Sequence, residues 1–239
     1  MATRVELGPG VDAWFTDAAD GNLSHRRPHV PAQLARDRAR VMERIDLEPD
    51  GVHLMRQVHG VAVATVDAAT PAGAELDAVD AIVTAEVDRP LAVQVADCVP
   101  VLLASAAGVA AVHVGRRGLS AGVVPAALAT LATVGGAGAT RAAIGPAIGG
   151  CCYEVDAATH DDVVAAHPAA RATTRWGTPS LDLPRAVAVQ LEGAGVTIVA
   201  GSPGCTRCDP RERWFSHRRD PRTGRQLGLI VRRSARAAA

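Results

Sequence analysis

Three metal-seeking side chains stand where short apolar runs break. They are His59 in Arg56-Gln-Val-His-Gly60, Cys98 in Ala96-Asp-Cys-Val-Pro100 and His113 in Ala111-Val-His-Val-Gly115. Two imidazoles and a thiolate leave a fourth position on zinc open, the pattern of catalytic rather than structural sites. Copper accepts the same donors, so ligand type alone does not select the metal. The three are much further apart in the chain than a helical turn, so strand ends must bring them together. Each also has a plain structural reading. A cysteine within Ala96–Leu103 is a small core side chain, and a histidine after a strand is a hydrogen-bonded structural residue. Asp97 either orients a ligand histidine as an acceptor or ends a strand and caps a turn.

Other cysteines carry less. Cys205-Thr-Arg-Cys208 invites a zinc-ribbon or redox reading. A structural zinc needs a second pair, which adjacent Cys151-Cys152 do not easily supply as tetrahedral ligands. A thioredoxin-like motif should open a helix, yet Asp209-Pro210 follows. Packing thiols are the expectation. Gly145-Pro-Ala-Ile-Gly-Gly150 could bind an anion but lacks a dinucleotide fingerprint. Ten arginines and three acids between Arg207 and Arg236 read as a solvated, charged edge.

Composition removes several chemistries. The chain has 239 residues, 48% of them hydrophobic, and a formal net charge of zero, which argues against a general binder of nucleic-acid polymers or membrane surfaces. Its 25 basic residues are all arginine. A Schiff-base lysine and a P-loop lysine are therefore excluded. Six aromatic residues are too few for a base-stacking platform. The first residues lack the apolar run of a signal peptide, no apolar stretch suits a membrane span, and five cysteines suit a reducing compartment. A cytoplasmic chain is expected.

The elements that must position these residues are mostly short Val-rich runs. Strands are predicted at Val52–Val58, Val61–Val66, Ala81–Val87, Leu91–Ala96, Val99–Ala104, Val109–Val114, Arg141–Ile144, Val196–Ala200, Arg213–Ser216 and Gln226–Val231. Helical spacing is predicted over Gln33–Ile45, Leu119–Leu131, Asp156–His167 and Pro184–Glu192. Pro184 suits a first helical turn. Strands outnumber helices without βαβ alternation, so the fold class is α+β. The tail Arg232–Ala239 is expected to fray.

Gln57-Val-His-Gly60, Ala96-Asp-Cys-Val-Pro-Val-Leu-Leu103 and Val112-His-Val-Gly-Arg-Arg-Gly118 resemble successive motifs of the YfiH family, also called the laccase-domain or peptidoglycan editing factor family. Ile144-Gly-Pro-Ala-Ile-Gly-Gly-Cys-Cys-Tyr-Glu-Val155 is similar to the next motif, and Trp214-Phe-Ser-His-Arg-Arg-Asp220 with Thr223-Gly-Arg225 to the C-terminal signature. Phe15-Thr-Asp17 and Asp20-Gly-Asn-Leu-Ser24 echo the family's start.

The resemblance implies a single catalytic domain over residues 1–239, with a mixed β-sandwich core flanked by helices. It implies zinc, or copper, held by His59, Cys98 and His113. It also implies phosphorolysis of adenosine, inosine and methylthioadenosine, deamination of adenosine, and a link to peptidoglycan editing. The expected partners are a small nucleoside and phosphate, in a monomer or small homo-oligomer. Guanidinium forks grip phosphate well. Arg117, which matches the family motif, is the first choice, with Ser24 and Arg38 from the N-terminal segment. Two departures bear on substrate. Arg116 stands where the family usually has tryptophan, and His25–Leu34 is shorter and more basic than usual.

Other classes compete. Cys98 could be the nucleophile of a hydrolase acting on cell-wall precursors, with His113 or His59 as base. A multicopper polyphenol oxidase needs a histidine cluster and a separate blue-copper site, and eight histidines without a His-x-His pair do not furnish both. A binding protein with a structural metal is the non-catalytic alternative.

Overall fold

The computed structural model describes residues 1–25, 30–136 and 138–234. In chain order the strands are β1 (Thr3–Val5), β2 (Val11–Phe15), β3 (Leu54–Met55), β4 (Val63–Thr65), β5 (Glu75–Leu76), β6 (Ala81–Thr84), β7 (Leu91–Val95), β8 (Val99–Ala104), β9 (Val109–Val114), β10 (Arg141–Ile144), β11 (Arg171–Thr173), β12 (Pro179–Leu181), β13 (Thr197–Ala200) and β14 (Gln226–Arg232). The helices are α1 (Pro31–Arg44), α2 (Arg116–Ala121), α3 (Val123–Gly135), α4 (Ala157–Ala166) and α5 (Leu183–Gly193).

Two sheets dominate. One has the order β1-β2-β14-β7 and is antiparallel throughout. The other has the order β13-β10-β8-β9-β6-β4, with parallel pairs only at its two edges. They face each other across a core of Phe15, Val93, Val95 and Ile230 from the first sheet, and Ile82, Leu102 and Ala111 from the second. The outer face of the first sheet is covered by Val41, Met42 and Ile45 of α1 and its end, packed on Trp14, Leu227 and Leu229. The outer face of the second carries Val101, Leu103 and Val112 against Leu119, Ala127, Leu131 and Val187 of the helices. The result is four layers, helix–sheet–sheet–helix, which is the α+β sandwich the sequence predicts.

Burial on both faces explains why the strands read as continuous apolar runs rather than as alternating ones. Every residue of β6, β7, β8 and β9 is buried. Each Val or Leu so enclosed contributes about 1.5–3 kcal/mol over its exposed state.

Helix ends follow local chemistry. Asp156 caps α4 by accepting from the Thr159 N–H at 2.8 Å, and Asp182 caps α5 through the Arg185 N–H at 3.0 Å. Pro184 lies in the first turn of α5 as expected. The helix predicted over Leu119–Leu131 is two helices, because Gly122 adopts φ 93° between α2 and α3.

The strand expected over Arg213–Ser216 does not form. Two of its N–H groups go to side chains instead, Arg213 to Asp209 at 2.9 Å and Phe215 to Gln226 Oε1 at 2.9 Å, while the Arg213 carbonyl accepts the Ala18 N–H at 2.7 Å outside any strand. Val52–Val58 shortens to β3 because the backbone turns at Gln57–Gly60. Among the described residues no helix is long and apolar enough to cross a membrane. Most of the tail expected to fray, and most of the basic stretch after His25, lie outside the described residues.

Candidate metal centre

The register of three neighbouring strands assembles one wall. β9 lies between β6 and β8, with Ala81 opposite Val112 and Pro100 opposite His113. Asp80, just before β6, and Cys98, just before β8, therefore flank His113 at one end of the sheet. His113 shares its face with Ala111, toward the other sheet, where the inter-sheet core opens.

His59 arrives from the loop between β3 and β4 in a left-handed conformation, φ 63°, which is uncommon for a residue with a Cβ. The buried Asp80 carboxylate holds that conformation. It accepts the Val58 N–H at 3.2 Å, the His59 N–H at 2.9 Å and the Gly60 N–H at 2.6 Å. Gly115 completes the fit, since a Cβ there would fall 2.5 Å from His59 Cδ2.

The three residues named from sequence thus converge. Cys98 Sγ lies 3.6 Å from His59 Nε2, the two imidazoles meet edge to face at 4.8 Å between centroids, and the three ligand atoms lie within 4.8 Å of one another. His113 Nδ1 sits 2.7 Å from Asp80 Oδ1. A proton on Nδ1 donated to that carboxylate leaves Nε2 as the free lone pair, the arrangement that orients metal-binding histidines.

Electrostatics agree. Burial would push the Cys98 thiol up, but the imidazoles of His113 and His59 outweigh it and bring it down to about 6. Burial would likewise lower His113, yet the Cys98 thiolate and Asp80 raise it to about 9. Burial opposes ionisation of Asp80, while His113 and the Gly60 and His59 N–H groups hold its carboxyl below the usual range. A thiolate and two imidazoles tied into one cluster suit a divalent ion of borderline softness.

The cluster floors a cavity of about 490 Å³ lined also by Ser24, Met55, Gln57, Gln94, His217 and Arg225. A side chamber of about 170 Å³ on the same cluster reaches Tyr153, Leu183 and Arg218. A larger groove of about 1160 Å³ runs past the end of α1 but contains none of the three cluster residues. Chemistry rather than volume picks out the smaller space.

The cavity separates the candidates named from sequence. Ser24 is buried and lines it. Arg117 is exposed on the first turn of α2 and is not among the lining residues. One step along a helix rotates a side chain by about 100°, and it is Arg116 that turns toward the Tyr153 hydroxyl. Arg38 spends its guanidinium on the Leu23 carbonyl, at 3.0 and 2.9 Å, and so fixes the approach of Ser24 rather than facing the cavity. Asp97 does not orient a histidine. It accepts from Thr206 Oγ1 at 2.6 Å and from the Arg218 N–H at 2.7 Å, tying the Cys98 turn to the C-terminal segment. The histidine-orienting role falls to Asp80.

Gln94, His217 and Arg225 come into view only in the fold. Gln94 Oε1 and Nε2 are buried without a partner among the described residues, although the residue lines the cavity. The Gln94 backbone is held by Gln57, whose side chain donates to its carbonyl at 2.8 Å and accepts from its N–H at 2.9 Å. An unpaired buried carboxamide is costly unless something fills it.

A family model described as multi-copper polyphenol oxidoreductase laccase matches residues 10–233. A Streptomyces coelicolor protein named purine nucleoside phosphorylase is 48% identical over 234 residues, covering 92% of this chain and 95% of that protein. The crystal structure of YlmD from Geobacillus stearothermophilus superposes with a TM-score of 0.83 at 30% identity, covering 95% of this chain and 93% of that one. The Bacillus licheniformis protein YfiH superposes with a TM-score of 0.79 at 26% identity, covering 92% of each chain.

Proposed function

The chain belongs to the multi-copper polyphenol oxidoreductase laccase family, and on that premise we propose that it is a metal-dependent purine nucleoside phosphorylase working as one catalytic domain. The observation that carries this reading is the convergence of His59, Cys98 and His113 beside the unpartnered Gln94 carboxamide on one cavity. Relatives named purine nucleoside phosphorylase support the substrate class.

Zinc fits the donor set best, with copper second, and His59, Cys98 and His113 would hold it. The chemistry such an ion supplies is Lewis acidity. The remaining work belongs to the chain. Gln94 presents a donor and an acceptor to the edge of a purine, the pairing a carboxamide makes with adenine. Arg225 and Ser24 receive phosphate near C1′ of the ribose, Arg225 taking the place first assigned to Arg117. A C1′–O bond to phosphate forms as the C1′–N bond breaks, and the purine leaves with the electron pair and takes up a proton. His217, which lines both chambers, is placed to give that proton.

Adenosine, inosine and methylthioadenosine are the expected substrates, with deamination of adenosine as a second activity of the same cavity. Peptidoglycan editing, a cytoplasmic location and a monomer or small homo-oligomer rest on the family resemblance and composition. Product chromatography tests the central reading. Each nucleoside, incubated with and without phosphate, should release free base only when phosphate is present, together with ribose 1-phosphate from adenosine and inosine and 5-methylthioribose 1-phosphate from methylthioadenosine. Absence of base release under every condition would overturn it.

A second reading, Cys98 as nucleophile of a hydrolase, draws on its low thiol pKa and its contact with His59. A chelator should leave that enzyme working and stop the phosphorylase. A polyphenol oxidase has less behind it, because the described residues assemble no histidine cluster beyond this one.

A further inference from the structure

Cys151, Cys152, Cys205 and Cys208 form a second thiol cluster, with all four sulfurs within 4.8 Å of one another. All four are free thiols. We propose that they bind a single zinc ion as a structural tetrathiolate, a site separate from the His59–Cys98–His113 centre. Sequence adjacency alone argues against a shared tetrahedron for Cys151 and Cys152. The fold removes that objection. The turn after β10 closes with the Cys152 and Tyr153 N–H groups on the Gly149 carbonyl, at 2.9 and 3.0 Å, and brings the two neighbouring sulfurs to 3.7 Å.

Distances decide between the alternatives. Sulfurs about 2.3 Å from a central zinc stand about 3.8 Å apart at the corners of a tetrahedron. Cys151 Sγ lies 3.7 Å from Cys152 Sγ and 3.6 Å from Cys208 Sγ. A disulfide needs about 2.05 Å, and an iron–sulfur cluster with bridging sulfides needs a wider ring of cysteines than this one. Packing thiols do not fit either. Cys151 is exposed, Cys205 and Cys208 are partly so and Cys152 is buried, so the cluster runs from the core edge to the surface and three of its four sulfurs belong to residues that solvent reaches.

The second segment is held for the purpose. Cys205 bridges to Ala147, and the Thr206 N–H donates to the Ala147 carbonyl at 3.0 Å. The Gly149, Cys208 and Arg207 N–H groups face the Cys205 sulfur, the support that ligating thiolates receive in metal knuckles. Four thiolates and one divalent ion carry net negative charge. Arg207 lies beside them, donating to the Cys152 carbonyl at 3.2 Å. The knot has a structural consequence: Thr206 within it bonds Asp97, and Arg219 donates to the Thr206 carbonyl at 3.0 Å. It thereby fixes the segment that carries His217 and Arg218 into the cavity.

The test uses metal content and cobalt spectra of the full chain, reduced and reconstituted with Zn²⁺ or Co²⁺. Wild type should hold about two zinc per chain, as two independent sites require. A His59→Ala, Cys98→Ala variant should keep about one, with a cobalt spectrum of four thiolates. A Cys205→Ser, Cys208→Ser variant should lose that spectrum. If this variant does not fold, the His59→Ala, Cys98→Ala protein still decides. No bound metal in it, or a cobalt spectrum with fewer than four sulfurs, overturns the proposal. None of these readouts depends on phosphorylase activity, so the two readings stand or fall separately.

Discussion

His113 Nδ1 lies 2.7 Å from Asp80 Oδ1, and the same carboxylate gathers the Val58, His59 and Gly60 N–H groups. One buried anion therefore sets the tautomer of one proposed ligand and the backbone of another. Asp80→Asn should fold but bind zinc about 10–100-fold more weakly, the usual loss when such an orienting partner is removed. Competition with a chromophoric chelator measures it, and an unchanged affinity would detach Asp80 from the centre.

Gly115 is a steric prediction. A Cβ there would meet His59 Cδ2 at 2.5 Å, so Gly115→Ala must swing the imidazole away. Zinc at the His59–Cys98–His113 centre should fall well below one equivalent while the thermal midpoint moves little, since the change touches a loop. Metal analysis alongside a melting curve checks both.

The Cys98 thiol supplies a pH prediction. In metal-free protein, alkylation of Cys98 by iodoacetamide should rise as pH increases through about 6 and then level off, whereas an ordinary cysteine titrates near 8.5. His113→Ala removes a cation beside the sulfur and should move the midpoint upward. A wild-type midpoint above 8 would contradict the cluster's electrostatics.

Gln94 separates binding from folding. Gln94→Met removes two unpaired buried polar atoms, so stability should hold or rise slightly. The nucleoside KM should rise about tenfold, the loss of one or two hydrogen bonds, with zinc content unchanged. An unaltered KM would mean the carboxamide does not meet the base.

Arginine variants locate phosphate. Arg225→Ala should raise the phosphate KM about tenfold or more, because charge-assisted bonds are the strong ones. Arg117→Ala, at an exposed position, should leave it near wild type. The opposite ranking would return the phosphate role to Arg117.

Much of the site was legible because its residues interrupt apolar runs. His59, Cys98 and His113 each stand where a Val-rich segment stops, and the family-like motifs fall on the same breaks. Asp80 was not legible, since an aspartate before a strand looks like any turn residue. Only the pairing of Ala81 with Val112 places it beneath His113. The convergence of the four cysteines was not legible, because adjacency along the chain says nothing of the turn that aims both sulfurs one way. β1 and β2 were missed for a related reason. They are short and separated by Gly8-Pro9-Gly10, and β14, which pairs with β2 on the side away from β1, lies more than two hundred residues on, beyond the reach of any local pattern.

β14 sits between β2 and β7, in the interior of its sheet. Ribosomal synthesis delivers β2 and β7 long before it, and until then neither has its shared neighbour. Leu227, Leu229 and Val231 must slot into a gap held open between two finished ribbons. A nascent polypeptide halted at residue 225 would present two unsatisfied backbone rows and a half-covered α1, an invitation to chaperones and proteases rather than a slower version of the enzyme.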